Sequence, residues 1–192
     1  MFENDDETKP ALVWFTTVNP DEKSEKRLFD SWEVAVASRY FTCVKIYADD
    51  IESKADRERY AKVLPTVILF DGAGREVTRV VGTGTSSPNV YAAMQKASES
   101  TFKKPLHSLV DIYSAFLKRF DKVQGQVSKL EADIIDDLDH TSKHDCAPGR
   151  KILKEHQEEI KPLVVERDKL LEQEKSLLNP DLKSKETAQA EK

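Results

Sequence analysis

The sequence predicts an α/β domain with a mixed sheet and flanking helices over residues 1–101. An all-α antiparallel coiled-coil hairpin follows over 102–178, and a disordered tail over 179–192. Residues 1–101 contain both tryptophans and four of the six glycines, whereas residues 102–192 are dense in lysine, aspartate, glutamate and leucine. The spacing of apolar residues also changes, because short strands and helices alternate in the first part and one helical period runs through the second.

The first elements of the domain follow from short apolar runs. We predict a strand at Ala11–Val18, because the run ALVWFTTV is short, β-branched and aromatic. A helix over Glu25–Arg39 follows, and four of its apolar residues share one side at helical spacing: Leu28, Phe29, Trp32 and Val36. A second strand at Phe41–Tyr47 is predicted to bury Phe41, Cys43 and Val44, and a cysteine buried in this way is chemically inert.

The later elements of the domain are separated by turn residues. They are a charged helix at Ile51–Lys62, a strand at Thr66–Asp71, a turn at Gly72–Gly74, a strand at Arg75–Val81 and a helix at Asn89–Ser100. The order β-α-β-α-β-β-α favours a right-handed parallel crossover between the first two strands and an antiparallel pairing of the last two.

Two long amphipathic segments make up the second part. Over Lys104–Asp139, apolar residues recur at steps of three and four, which is typical of a long helix close to a heptad. The polar stretch Asp139–Gly149 is predicted to end this helix, and Arg150–Leu178 repeats the pattern. We expect Pro162 to kink or divide the second helix near Lys161.

The apolar stripe of the first long helix holds the candidate residues for partner binding or oligomerisation: Leu109, Ile112, Phe116, Phe120, Val123 and Val127. Two such stripes can bury each other in a hairpin, but the aromatic side chains are large for one two-helix seam. The unburied remainder would pack on the domain, a second copy or another protein. The hairpin could equally be a spacer or a dimerisation rod.

The first part resembles the thioredoxin family over about residues 9–100. The resemblance depends on Lys9–Thr17 before the first helix, Leu64-Pro65-Thr66 before a buried strand, the Asp71–Gly74 turn, and Val81-Gly82 after the last strand. It implies a thioredoxin-like sheet and a cis-proline at Pro65.

Redox-active members of that family carry Cys-x-x-Cys between the first strand and its helix, where the helix N-terminus stabilises a thiolate. In this chain the stretch reads Asn19, Pro20, Asp21, Glu22, Lys23 and Ser24, without a cysteine. We therefore expect no thiol–disulfide catalysis and no enzyme. Two roles for this loop stay open. In the first, Asp21 serves only as the N-cap of the helix. In the second, the loop together with Leu64, Pro65 and Thr66 binds an extended peptide without reacting with it.

Two other kinds of site are weaker alternatives. A single-cysteine thiol enzyme or redox sensor would use Cys146 or Cys43, with His144 as a helper. A metal-binding hairpin tip would use His140, His144 and Cys146, although their spacing matches no standard zinc motif. The favoured expectation is no metal and no cofactor.

Composition excludes further classes of function. The net charge of -5 gives no basic excess for nucleic acid, and no apolar run approaches the roughly 20 residues of a membrane span. The acidic N-terminal segment is unlike a secretory signal, and the two cysteines form no disulfide framework, so we expect a cytoplasmic protein. The sequence therefore predicts a redox-inactive protein-interaction or assembly module, similar to an escort or chaperone, with a protein partner or a homodimer formed through the helices.

Overall fold

The computed structural model of the chain describes residues 9–18, 28, 31–143 and 147–182. In this part, the strands are β1 (Ala11–Thr16), β2 (Thr42–Tyr47), β3 (Thr66–Phe70) and β4 (Glu76–Val81). The helices are α1 (Trp32–Ala37), α2 (Lys54–Tyr60), α3 (Ser87–Ser98), α4 (Leu106–Lys143) and α5 (Ala147–Leu177).

The four strands form one mixed sheet in the order β2-β1-β3-β4. β1 pairs with β2 in parallel, and it pairs with β3 in antiparallel register. β3 and β4 form an antiparallel hairpin around the turn at Asp71–Gly74, where the Asp71 carboxylate accepts hydrogen bonds from the Ala73 and Arg75 backbone N–H groups. The predicted sheet, with its parallel crossover and its final hairpin, is confirmed.

The core lies on both faces of this sheet, because successive strand residues point to opposite sides. On one face Val13, Phe15 and Ile68 pack with Ala48 and Ala61, and the Phe15 ring stacks on Tyr60 of α2 at 5.7 Å. The alternate strand residues Leu12, Trp14, Val67 and Leu69 are also buried, and α3 packs against β3 and β4.

The sequence predicts that Trp32 shares one helix side with Leu28 and Val36, but Trp32 is exposed whereas those two residues are buried. Ser31 caps α1, its side chain accepting a hydrogen bond from the Val34 N–H, so the described helix begins at Trp32. This start turns Val34 and Val36 to the core and leaves Trp32 50% exposed. Leu28 is buried, whereas Phe29 lies outside the described residues.

The predicted burial of Cys43 is wrong. β2 is an edge strand whose side chains alternate in exposure, and Cys43 and Lys45 occupy its exposed positions. Val44 and Ile46, which point to the other face, are half-buried. Phe41, immediately before the strand, is buried as predicted.

The two long helices pack together as the predicted antiparallel hairpin. Their contacts include a hydrogen bond from the Tyr113 hydroxyl to Glu174, an ion pair of 2.7 Å between Arg119 and Glu166, and a 2.8 Å contact between Asp137 and His156. The ring of Phe116 lies between those of Tyr113 and Phe120, at 5.5 and 6.1 Å.

The helix ends differ from the prediction at the hairpin tip. α4 runs past Asp139 to Lys143, and in its last turn the hydroxyls of Thr141 and Ser142 donate to the carbonyls of Asp137 and Asp139 at 2.7 Å. α5 begins at Ala147, before the position predicted for it, because a proline is tolerated in a first helical turn.

α5 is continuous across Pro162, so the predicted division of this helix is wrong, whereas the alternative of a kink stays a prediction. A proline removes one backbone hydrogen bond, but the helix continues when packing holds both sides of it. Half-buried Ile160 and Leu163 flank Pro162, and buried Leu170 follows two turns later. Tertiary packing along α5 therefore outweighs the local cost of the proline.

The described residues divide into two compact units. One contains the sheet, the residues up to Asp111 and the residues after Leu177, and the other is the hairpin over Ile112–Leu177. After α5 the chain returns to the first unit, where Leu182 forms a β-bridge with Phe102 and the Lys103 N–H donates to the Asp181 carbonyl at 3.0 Å. The sequence placed Asp181 and Leu182 in a tail, but both have defined backbone partners.

Candidate functional site

The first candidate surface is the end of the sheet where β1 ends, β3 begins and β4 ends. Phe15 of β1 pairs with Thr66 of β3, and Thr66 pairs with Val81 of β4. The Leu64–Pro65 peptide bond immediately before β3 is cis, as the resemblance implied. We refer to this surface as the sheet end.

Hydrogen bonds hold the backbone around Pro65. Its carbonyl accepts from the Gly82 N–H at 2.7 Å and from the Thr85 hydroxyl at 3.2 Å, and the Thr66 hydroxyl donates to the Val63 carbonyl. Gly82 has a φ of +55°, and a Cβ atom there would lie 3.1 Å from the Val63 Cγ1 atom. Glycine is therefore favoured both by the left-handed backbone conformation and by the close approach of the Val63 side chain.

The sheet end offers apolar surface rather than reactive groups. Val18, Val63 and Val81 are large hydrophobic residues that remain exposed around it. Among the predicted site residues, Leu64 is half-buried and packs against the core, and Thr66 is buried. The predicted loop residues Asn19, Pro20, Asp21, Glu22 and Lys23 lie outside the described residues.

Cys43 is the cysteine that lies within the described residues, and its surroundings make the thiol unreactive. The residue is exposed on the edge strand, its Sγ atom donates to the Ser38 carbonyl at 3.5 Å, and it forms no disulfide. Neighbouring atoms nevertheless desolvate the sulfur and raise the pKa of the Cys43 thiol to about 11. A thiol of that pKa is almost entirely protonated at neutral pH and is a poor nucleophile.

The second candidate surface is the hairpin, where the predicted contact residues have different environments. Leu109, Phe116, Val123 and Val127 are buried within the chain, and Phe120 is half-buried. Ile112 is exposed. Most of the predicted stripe therefore fills intrachain contacts.

The apolar residues that remain exposed on the hairpin are largely ones that the sequence did not single out. They are Ile112, Ile135, Leu138, Ile152, Val165 and Leu171, and Ile135 is the most exposed at 65%. The available signal was the adjacent pair of isoleucines at 134 and 135, because consecutive helical residues cannot both face one seam.

Of the three candidate metal ligands at the hairpin tip, His140 lies within the described residues, whereas His144 and Cys146 lie outside them. Nearby, His156 contacts Asp137 through its Nδ1 atom at 2.8 Å. Among the residues that the structure describes, no three histidine, cysteine, aspartate or glutamate side chains converge on a metal position. None of the helices in this part of the chain combines the length and apolar character needed to cross a membrane.

Comparison with known proteins gives a likeness to solved structures alone. No protein-family model matches the chain, and none of the curated proteins is similar to it. Among solved structures, the chain is similar to a thioredoxin from Thermus thermophilus at 16% sequence identity and a TM-score of 0.40. The match covers 48% of this chain and 75% of that one.

Proposed function

We propose that this protein is a non-catalytic binding module in which a thioredoxin-like domain carries a helical hairpin that contacts other proteins during assembly or escort. The observation that carries the proposal is the set of large apolar side chains that stay exposed on the hairpin after its seam is filled, led by Ile135. Single exposed apolar residues are ordinary on a surface, whereas contiguous ones mark contact sites, and Ile135 and Leu138 are neighbours on one side of α4.

The chemistry of the domain supports a role without catalysis. The loop that carries the dithiol in redox-active thioredoxins has no cysteine in this sequence. The raised pKa of Cys43 leaves little thiolate at neutral pH. The hydroxyls of Thr66 and Thr85 at the sheet end are already engaged with backbone carbonyls.

The sheet end is the second binding surface in this proposal. Its exposed valines lie near the cis-proline Pro65 in the sequence or the sheet, and exposed apolar side chains of this kind can contact those of an extended peptide. Binding here would depend on shape and on apolar contact rather than on bond formation. The sheet end and the hairpin are thus separate candidates for the main contact surface.

Affinity capture with the full-length chain tests which surface binds. We expect the variant Ile152→Asn, Val165→Asn to retain less of a captured protein than the wild type, because a polar amide replaces exposed apolar surface. Val81→Asn is the matched control, since Val81 is comparably exposed but lies at the sheet end. Loss with Val81→Asn alone would move the contact surface to the sheet end.

Catalysis is tested separately by reduction of insulin disulfides with dithiothreitol as the electron source. We expect the rate to equal that of dithiothreitol alone. Turnover above this background would overturn the non-catalytic half of the proposal. Substitution of Cys43 and Cys146 by serine would then show which thiol is responsible.

A further inference from the structure

One face of the hairpin combines exposed apolar side chains with charges of both signs. On α4, Glu131, Ile135, Leu138 and Asp139 follow one another at steps of four, three and one, so they lie along one side of the helix. On α5, Lys154 and Lys161 are seven residues apart and also share a side. We refer to these six residues as the tip face.

Helix geometry places both parts of the tip face on the same side of the hairpin. Ile135 directly follows half-buried Ile134, and Lys154 and Lys161 directly follow half-buried Leu153 and Ile160. One residue turns the direction of the side chain by about 100° in the sense of the chain. In two antiparallel helices that face each other, the residue after a seam residue therefore points to the same side of the hairpin in both helices.

The two helices of the tip differ in charge. Residues 131–139 of α4 contain five acidic residues and no basic ones, whereas residues 150–161 of α5 contain four basic and three acidic residues, and Glu158 lies between Lys154 and Lys161 on their side of the helix. The contact between Asp137 and His156 sets the register of the helices, so Asp139 lies level with Lys154. By the same count Glu131 lies level with Pro162, one residue beyond Lys161.

Pairs within each helix leave these charges accessible to a partner. Asp139 contacts Lys143 at 2.6 Å, and Lys161 contacts Glu158 at 2.7 Å, but all four side chains are more than half exposed. Exposed pairs of this kind contribute little free energy and exchange readily. A second acidic or basic surface could therefore replace them at low cost.

We infer that the tip face binds the tip face of a second copy of this chain, about a two-fold axis parallel to the helices. This inference rests on the proposed role of the hairpin in protein contacts. Such an axis lays α4 of one copy over α5 of the other, so the acidic edge of each tip meets the basic edge of its partner. The exposed side chains of Ile135 and Leu138 are buried at the same time.

Charge selects this arrangement over the alternative two-fold packing. With the axis perpendicular to the helices, α4 would lie over α4 and the acidic segments would face each other. Like charges held together across an interface oppose association. One molecule therefore carries both halves of a self-complementary surface, which is the requirement for an isologous dimer.

Charge reversal in the full-length chain tests the inference. The acidic edge is reversed in Glu131→Lys, Asp139→Lys and the basic edge in Lys154→Glu, Lys161→Glu. By sedimentation, we expect the wild type to be a dimer and each variant alone to have a Kd raised at least about tenfold. Mixing the two variants should restore the dimer, because each then presents the charge that the other lacks.

Restoration by mixing distinguishes contact between copies from pairing within one hairpin, because mixing cannot repair a contact inside a single chain. A wild type that sediments as a monomer at every concentration, or a mixture that stays monomeric, would overturn the inference. A monomer whose protein capture still depends on Ile152 and Val165 would leave the proposed function standing. A wild type that forms the dimer but also reduces insulin would support the inference and overturn the non-catalytic half of the proposed function.

Apolar substitution provides the measurement if a charge variant loses helical circular dichroism. Ile135→Asn, Leu138→Asn changes the tip face without changing its charge, and we expect it to weaken the dimer. Ile152→Asn is the matched control, because Ile152 is exposed on α5 and directly precedes half-buried Leu153, which turns it to the side of the hairpin opposite the tip face. Equal dimer dissociation in these two variants would place the contact elsewhere and overturn the inference.

Discussion

At the scale of single residues, the thiol of Cys43 shows how local surroundings limit chemistry. The residue is exposed on an edge strand, yet desolvation of its sulfur raises the pKa from 9.0 to about 11. Only about one molecule in ten thousand then carries the thiolate at pH 7. Access to solvent and readiness to react are therefore separate properties at this position.

We predict that alkylation of Cys43 by iodoacetamide is slow at neutral pH and that its rate keeps rising with pH until about 11, because the thiolate is the reacting form. Peptide mass spectrometry separates Cys43 from Cys146 and gives a rate at each pH. A rate that levels off at or below pH 9 would contradict the raised pKa.

The same pKa also bears on stability. The folded pKa of Cys43 lies above the 9.0 of an unperturbed thiol, so folding favours the protonated form. This contribution to the free energy of unfolding is complete below about pH 9 and is lost as the pH rises through about 11. A Cys43→Ser variant should lack this part of the alkaline destabilisation.

At the scale of elements, the hairpin contains adjacent leucines with opposite environments. Leu170 is 2% exposed in the seam, and Leu171 is 41% exposed. We predict that Leu170→Ala lowers the free energy of unfolding by about 2–5 kcal/mol, because it removes buried methyl groups and leaves a cavity. Leu171→Ala should change it by less than about 0.5 kcal/mol.

Chemical denaturation followed by circular dichroism measures both leucine variants. The substitution is the same at two neighbouring positions, so the difference between them reports burial and not helix propensity. Similar losses in the two variants would mean that α5 does not hold Leu170 in the seam.

At the scale of the whole molecule, the return of the chain after α5 ties two distant segments together. Leu182 bridges to Phe102, and the Lys103 N–H donates to the Asp181 carbonyl. Phe102 is buried and its ring lies 6.2 Å from that of Tyr40, whose hydroxyl donates to the Leu109 carbonyl at 3.2 Å. The returning segment thus covers part of the core of the first unit.

We predict that ending the chain after Pro180 lowers the free energy of unfolding by about 1–3 kcal/mol, because it removes a backbone hydrogen bond and uncovers Phe102. A chain that ends after Leu182 is the matched control and should keep the stability of the full chain. Urea denaturation of the three proteins measures the difference. Equal stability of the two shortened chains would show that the bridge contributes nothing.

The sequence by itself determined the order of the strands and helices, the sheet with its final hairpin, and the pairing of two long helices. Each follows from local information: strand and helix periods, turn residues between them, and stripes long enough to bury one another. It also placed Leu64, Pro65 and Thr66 before a buried strand at the candidate site, and showed that the loop after the first strand lacks the dithiol.

Only the tertiary structure decided which of these residues are exposed. Cys43 is exposed because its strand lies at the sheet edge, and the Val63 side chain comes close to Gly82 from a segment 19 residues earlier in the chain. Phe116 is buried and Ile135 exposed, although both are apolar residues of one helix. A local pattern cannot carry this information, because exposure depends on contacts between residues far apart in the chain.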